Sequence, residues 1–180
     1  GSMAAGSDRI SQIVLSLRNF SRLDESGIKA ADLHSGLNST LLILKKRLQA
    51  NEHLPAIKIN QPYSTLPNVI CEPGQINQVF LNILNNAVDA IQENASSFLE
   101  NQQMPEISIF TKAITNPQDH SQSVQIVIAN NGGTIASEIQ GRIFDPFFTT
   151  KSVGNGTGLG LFVSYSIIQQ HQGTLTVRSQ

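Results

Sequence analysis

The sequence predicts an α+β fold, a two-layer α/β sandwich in which a mixed sheet is covered by helices on one face and preceded by a helix. Three observations predict it. Helical and strand periodicities alternate irregularly, and the last strand pattern follows a helix. One helix, over residues 75–93, carries a continuous apolar stripe beside a separate polar face. The composition is that of a domain with a real core: 39% of the residues are hydrophobic and the net charge is −1. A length of 180 residues fits one domain with an appendage.

Taken in order, residues 1–7 begin "GSM" and read as an expression tag. Residues 8–26 place Ile10, Ile13, Val14 and Leu17 on one helical face, and Gly27 ends that helix. Asp32 is a good N-cap for a second helix carrying Leu33, Leu37, Leu41, Leu44 and Leu48. "AIKIN" reads as a short strand after Pro55, and "NVICEPG" as another closed by a turn. In "QINQVFLNILNNAVDAIQE" the stripe is Ile76, Val79, Phe80, Ile83, Leu84, Ala87 and Ile91. At about 100° per residue, Gln75, Gln78, Asn82, Asn86, Asp89 and Glu93 share another face. Residues 96–105 read as a loop. Strands are expected at 107–111 and 124–129, joined by the polar connector "NPQDHSQS". A turn at "NNGG", a short helix or helical turn in 137–144, a helix to His171 and a last strand "GTLTVRS" complete the chain.

Composition also excludes function classes. The 12 basic residues are scattered along the chain and the pI is not above 9, which argues against nucleic acid. No apolar run approaches the roughly 20 residues that span a bilayer, so no membrane segment is expected. Cys71 is the single cysteine, which rules out an intrachain disulfide and fits a cytoplasmic setting. His34, His53, His120 and His171 show no metal-ligand spacing.

Two local patterns carry chemistry. In "GNGTGLGL" (154–161) the glycines run straight into a helical face of Leu161, Tyr165 and Ile168, whereas a linker would continue in polar residues. A glycine turn opening a helix leaves free N–H groups at the positive end of the helix dipole, which suits an anion. By itself the pattern fits both a phosphate loop and an ordinary tight turn. Asparagine is a poor helix former, yet Asn82, Asn85 and Asn86 crowd one helix. They read either as a solvated polar stripe or as neutral oxygen ligands for Mg²⁺ already paired to phosphate.

Four segments in order, "NILNNAVDA" (82–90), "IANNGGTI" (128–135), "RIFDPFFTTK" (142–151) and "GNGTGLGLF" (154–162), resemble the catalytic and ATP-binding domain of sensor histidine kinases. They match its N box, first glycine box, F box and second glycine box. The wider superfamily, with gyrase, Hsp90 and MutL, has the Bergerat-type ATP-binding fold. The resemblance covers about residues 30–180; residues 8–29 resemble the end of the dimerisation and phosphotransfer hairpin. It implies that Asn86 binds Mg²⁺, with Asn82 and Asp89 lining the same pocket. It implies that Gly156, Thr157, Gly158, Leu159 and Gly160 hold the phosphates, under a lid of residues 145–156. Lys151 is then within reach of a phosphate, and Phe144, Phe147 and Phe148 are packing anchors of the lid. Hydrolysing members carry a Glu where this chain has Asn82, so transfer to a histidine is favoured over attack by water. The implied partners are a response regulator receiver domain and, in the full-length protein, a second copy as homodimer; this fragment is expected to be a monomer or weak dimer.

Three departures qualify the resemblance. The family's first glycine box reads Asp-x-Gly-x-Gly, and its Asp accepts a hydrogen bond from the adenine amino group. Here the matching residues are Asn130, Gly132 and Thr134. Losing the charge-assisted bond is worth about 1 kcal/mol or more, so weakened ATP affinity or a shifted base preference is expected. No histidine sits in the family's phosphoacceptor context, so the chain reads as a fragment that binds nucleotide without phosphorylating itself. The family's final strand is expected to be missing after "TVRSQ". The alternative is a non-catalytic signalling module on the same fold with a degenerate nucleotide pocket.

Overall fold

The computed structural model describes residues 27–151 and 156–179. The expected tag, the helix over 8–26 and lid residues 152–155 lie outside the described residues. Strand β1 (Lys29–Ala31) leads to Asp32, whose carboxylate accepts from the amides of His34 at 2.9 Å and Ser35 at 3.4 Å. That satisfies two of the free donors at a helix start, and α1 (Leu33–Leu48) begins there with Leu33, Leu37 and Leu44 buried. Its last turn carries Lys45, Lys46 and Arg47, at the negative end of the helix dipole.

Two short strands follow, β2 (Lys58–Asn60) and β3 (Val69–Cys71). The expected turn at "EPG" is instead the opening of α2 (Pro73–Glu93), because proline at the first helical position needs no donor partner. The apolar stripe of α2 is buried as expected, with Val88 added and Ile83 only half-buried. A second difference comes next: part of the loop expected over 96–105 is helical, as α3 (Ala95–Glu100). Phe98, 3% exposed, anchors this single turn and a half in the core. Tertiary burial here outweighs a polar local sequence.

Strands β4 (Glu106–Thr115) and β5 (Gln122–Asn130) form a hairpin longer than expected. Cross-strand pairing runs on to Thr115 opposite Gln122, and the amide of Asn116 bonds the carbonyl of Ser121 at 2.9 Å. The sheet order is β2-β4-β5, with β2 parallel to β4 and β4 antiparallel to β5, so it is mixed. β1 and β3 make a separate antiparallel pair. Ile107, Ile109 and Thr111 bury one face of the sheet in a core shared with α1 and α2. The other face stays open: Phe110 and its cross-strand partner Val127 are both exposed.

A four-residue helix, α4 (Ser137–Gln140), and α5 (Gly160–Gln170) complete the elements. The expected last strand, "GTLTVRS", is not one among the described residues. Leu175 and Val177 are half-buried while Thr174, Thr176 and Arg178 are exposed, so the strand-like alternation is kept. What is missing is a ladder: the chain is held by the hydroxyl of Ser179, which accepts from the amide of Ile135 at 2.7 Å. Alternation sets which side chains face inward, but a strand also needs a neighbour's backbone.

Candidate functional site

The site is assembled on the polar face of α2. Near its middle, Asn82 donates to the Gly160 carbonyl at 3.0 Å and to the Ser164 hydroxyl at 3.1 Å, and accepts from Gln78 at 2.9 Å. Ser164 is fully buried and itself donates to the Gly160 carbonyl at 2.8 Å. Both ends of the Asn82 amide are therefore engaged in fastening the first turn of α5 to α2. That turn has neither a capping side chain nor an acidic residue, so its N–H groups are left for another acceptor.

One turn further along α2, Asn86 is half-buried and its amide has no hydrogen-bond partner among the described residues. Its neighbours are committed elsewhere. Asn85 accepts from Arg47 Nη1 at 2.6 Å, and Asp89 accepts from Arg47 Nη2 at 2.6 Å. The second Asp89 oxygen takes the ammonium of Lys151. Burial pushes the Asp89 carboxyl up, but hydrogen bonds from Lys151 and Arg47, and their charges, outweigh it and hold the carboxyl below its usual range. Arg47, whose Nη2 also reaches Gln92 at 3.0 Å, is a residue that sequence reasoning missed. Its only signal was a place among the basic residues ending α1, where helix-dipole complementarity alone accounts for such charges.

At the far end of α2 lies the first glycine turn. Asn130, exposed at the end of β5, accepts through Oδ1 from the Gly132 amide at 2.9 Å. Gly132 is pressed on the helix backbone, where an added Cβ would sit 2.4 Å from the Ile91 nitrogen. Asn94 closes the joint, donating to the carbonyls of Gly132 and Ala90. Thr134 stays exposed.

The second glycine segment meets the chain after α4. Gly158 has φ +66, and a Cβ there would come 2.3 Å from the Phe147 carbonyl carbon. Only glycine fits both the dihedral and the approach. A Cβ at Gly156 would lie 2.8 Å from Thr149 Oγ1 and 3.0 Å from Lys151 Cδ. The Thr157 hydroxyl accepts from the Leu159 amide at 3.3 Å. Of the three phenylalanines expected to anchor the lid, Phe144 packs on Tyr165 at 5.4 Å between ring centroids. Phe148 lies under the Arg142 guanidinium at 5.1 Å. Phe147 departs from the expectation: its backbone makes the contact with Gly158 while its ring is 73% exposed.

Asn82, Asn86, Asp89, Lys151 and Gly156–Gly160 are thus gathered along one side of α2, with Asn130 and Gly132 at its end. The two glycine segments touch α2 at Asn82 and at Ala90–Ile91, roughly 13 Å apart at ~1.5 Å rise per residue. The uncapped start of α5 and the Asn130 side chain are thus set apart along α2. Among the described residues no group of His, Cys, Asp or Glu is arranged to hold a metal, and no helix is long and apolar enough to cross a membrane.

Comparison with known proteins gives the family. The family described as histidine kinase-, DNA gyrase B- and HSP90-like ATPase matches residues 71–180. Over 178 residues the chain is 30% identical to the sensor histidine kinase ZraS of Escherichia coli K12, covering 99% of this chain and 34% of that protein. It is 38% identical over 115 residues to sporulation kinase E of Bacillus subtilis, covering 64% of this chain and 13% of the relative. The chain therefore spans about a third or less of the length of these curated relatives. Among solved structures, the nucleotide-free catalytic domain of histidine kinase ThkA is 25% identical with a TM-score of 0.59, over 80% of this chain and 81% of that one. By family match and by relatives alike, the chain belongs to the histidine kinase-, DNA gyrase B- and HSP90-like ATPases and carries the ATP-binding catalytic domain of sensor histidine kinases.

Proposed function

We propose that the chain binds Mg-ATP along α2 and presents the γ-phosphoryl group to a histidine carried elsewhere in the full protein. The observation that supports this most is the Asn86 amide, without a partner among the described residues and one turn from Asn82 and the uncapped start of α5. Asn86 would hold Mg²⁺ through its amide oxygen; bound there, the ion supplies charge neutralisation for the phosphates. Gly156, Thr157, Gly158, Leu159 and Gly160 offer backbone N–H groups to the phosphates, and Lys151 offers a cation. At the Asn82 position the side chain is a neutral amide already bonded at both ends, with no carboxylate to draw a proton from water. Transfer to a neutral imidazole nitrogen needs no such base. The chemistry left to the protein is positioning and charge placement.

On this reading residues 30–180 form the catalytic domain and 8–29 the end of a dimerisation hairpin. A second copy supplies the homodimer, and a response regulator receiver domain takes the phosphoryl group in the cytoplasm. Calorimetric titration of Mg-ATP tests the core of the proposal. Binding is expected in the micromolar-to-millimolar range, with Asn86→Ala weakening it about tenfold or more through loss of a ligand oxygen. Equal affinity in both proteins would remove Asn86 from the metal site. The exposed Phe147 ring favours a second reading, a protein-contact module on the same fold. Failure of every nucleoside triphosphate to bind would decide for it.

A further inference from the structure

We propose that Asp89 is a positioning residue of the nucleotide site: anchored by Arg47, it sets the Lys151 ammonium beside the second glycine segment for use by an anion. The inference rests on the nucleotide reading of the site and deepens it, because it gives Asp89 a role through Lys151 rather than on the ligand itself. A carboxylate on this wall needs a reason, since its charge repels phosphates. Its oxygens are not turned to a metal ion, for both already meet cations: Arg47 Nη2 at 2.6 Å and the Lys151 ammonium. The carboxyl is held below its usual range, so it keeps its charge at neutral pH.

What such a carboxylate can do is fix a lysine. The lysine side chain is a point charge on a flexible four-carbon stem, which by itself has no preferred direction. Here Lys151 is held at three points. Its amide donates to Thr149 Oγ1 at 3.1 Å, its stem lies close against Gly156, and its ammonium sits on Asp89. Gly156 opens the segment that leads to the uncapped start of α5, and Asp89 lies one turn beyond Asn86 on α2. An ammonium has three donors, so the bond to Asp89 leaves others for a ligand. Behind Asp89, the Arg47 guanidinium is itself fixed, because Asn85 accepts from Nη1 at 2.6 Å and Gln92 from Nη2 at 3.0 Å. A planar fork held by three acceptors thus anchors the carboxylate, and the carboxylate aims the lysine. The Asp89 and Lys151 side chains are only 26% and 22% exposed, so water screens their pairing less than that of a surface ion pair.

The test is calorimetric titration of Mg-ATP into this chain and into Asp89→Asn, Lys151→Ala and the double variant, each well below its melting temperature. Asparagine keeps the size of the side chain and an oxygen for Arg47, but its one remaining group is a donor that cannot hold an ammonium. By charge alone, removing a carboxylate beside a polyanion tightens binding. Positioning gives the opposite sign: Asp89→Asn is expected to bind Mg-ATP about threefold or more weakly, through a misplaced lysine. In the Lys151→Ala background the same substitution is expected to cause no further loss, because the group it positions is gone. Asp89→Asn binding as tightly as the unaltered chain, or tighter, overturns the inference. So does an equal loss in both backgrounds, which would mean that Asp89 acts on the ligand or the fold without Lys151. Should Asp89→Asn fail to fold, Asp89→Glu takes its place, keeping the charge and shifting the carboxylate by one methylene; unchanged affinity there overturns the inference equally. If the unaltered chain binds no Mg-ATP, the nucleotide reading itself falls and this inference with it.

Discussion

Asp89 shows how a single side chain can join three segments. Its two oxygens hold Arg47 from α1 and Lys151 from the segment after α4, both across long sequence separations. Its carboxyl is held below the usual range by those partners despite partial burial. It thus stays charged to lower pH in the folded chain than in the unfolded one. The stability it adds is complete above the ordinary carboxylate pKa of about 3.9 and is lost as pH falls through and below that value. Arg47→Ala is expected to lower unfolding free energy by about 2 kcal/mol at neutral pH, since charged hydrogen bonds to Asp89 and Asn85 go together. Urea midpoints measured from pH 7 down to about 3 should show that deficit shrinking as Asp89 protonates. A deficit that persists unchanged in acid would mean Arg47 acts by packing its stem instead.

Between elements, the decisive joints are backbone-to-backbone. The β5–α4 connection packs against α2 only because Gly132 has no side chain, with Ile91 N and Ala90 C both under 3 Å from a notional Cβ. Neither neighbour is a flexible side chain that could move aside. Gly132→Ala is expected to destabilise the fold by about 3 kcal/mol, the upper end of ordinary overpacking. It should also pull Asn130 away from its turn, so a thermal melt read alongside nucleotide titration should show both losses. A variant with an unshifted melting temperature would mean that the turn can lift from α2 without penalty. The joint between α2 and α5 is of a different kind: Asn82 and Ser164 converge on the Gly160 carbonyl, a polar clasp inside an otherwise apolar contact. Such a clasp sets register, since its partners must meet at hydrogen-bond distance while apolar surfaces slide.

Across the molecule, α2 is the shared wall. One face lies in the core with α1 and the sheet, and the other carries Asn82, Asn86 and Asp89. Ligand binding along that wall should therefore register in global stability. Mg-ATP at a hundred times its dissociation constant is expected to add about 2.7 kcal/mol to unfolding, visible as a concentration-dependent rise in melting temperature. A melting temperature indifferent to Mg-ATP would mean that the folded chain has no such site.

Much of this was legible in the residues. The 3.6-residue stripe of α2, the Asp32 cap, the two strands of the β4–β5 hairpin and the polar face with its asparagines all follow from local periodicity and capping chemistry. The same holds for the family, because its boxes are short continuous motifs. What stayed hidden depends on partners distant in sequence. Phe98 turns an apparent loop into α3 by reaching the core, and the period-2 pattern of residues 174–178 does not become a paired strand. Arg47 could not be singled out among the basic residues of α1 until the fold brought it to Asp89. Likewise, the sequence established that position 130 is an asparagine, and hence that its side chain has one oxygen where an aspartate has two. Only the tertiary structure decided which neighbour takes it, because the Gly132 amide is held in place by the close approach of that turn to the backbone of α2.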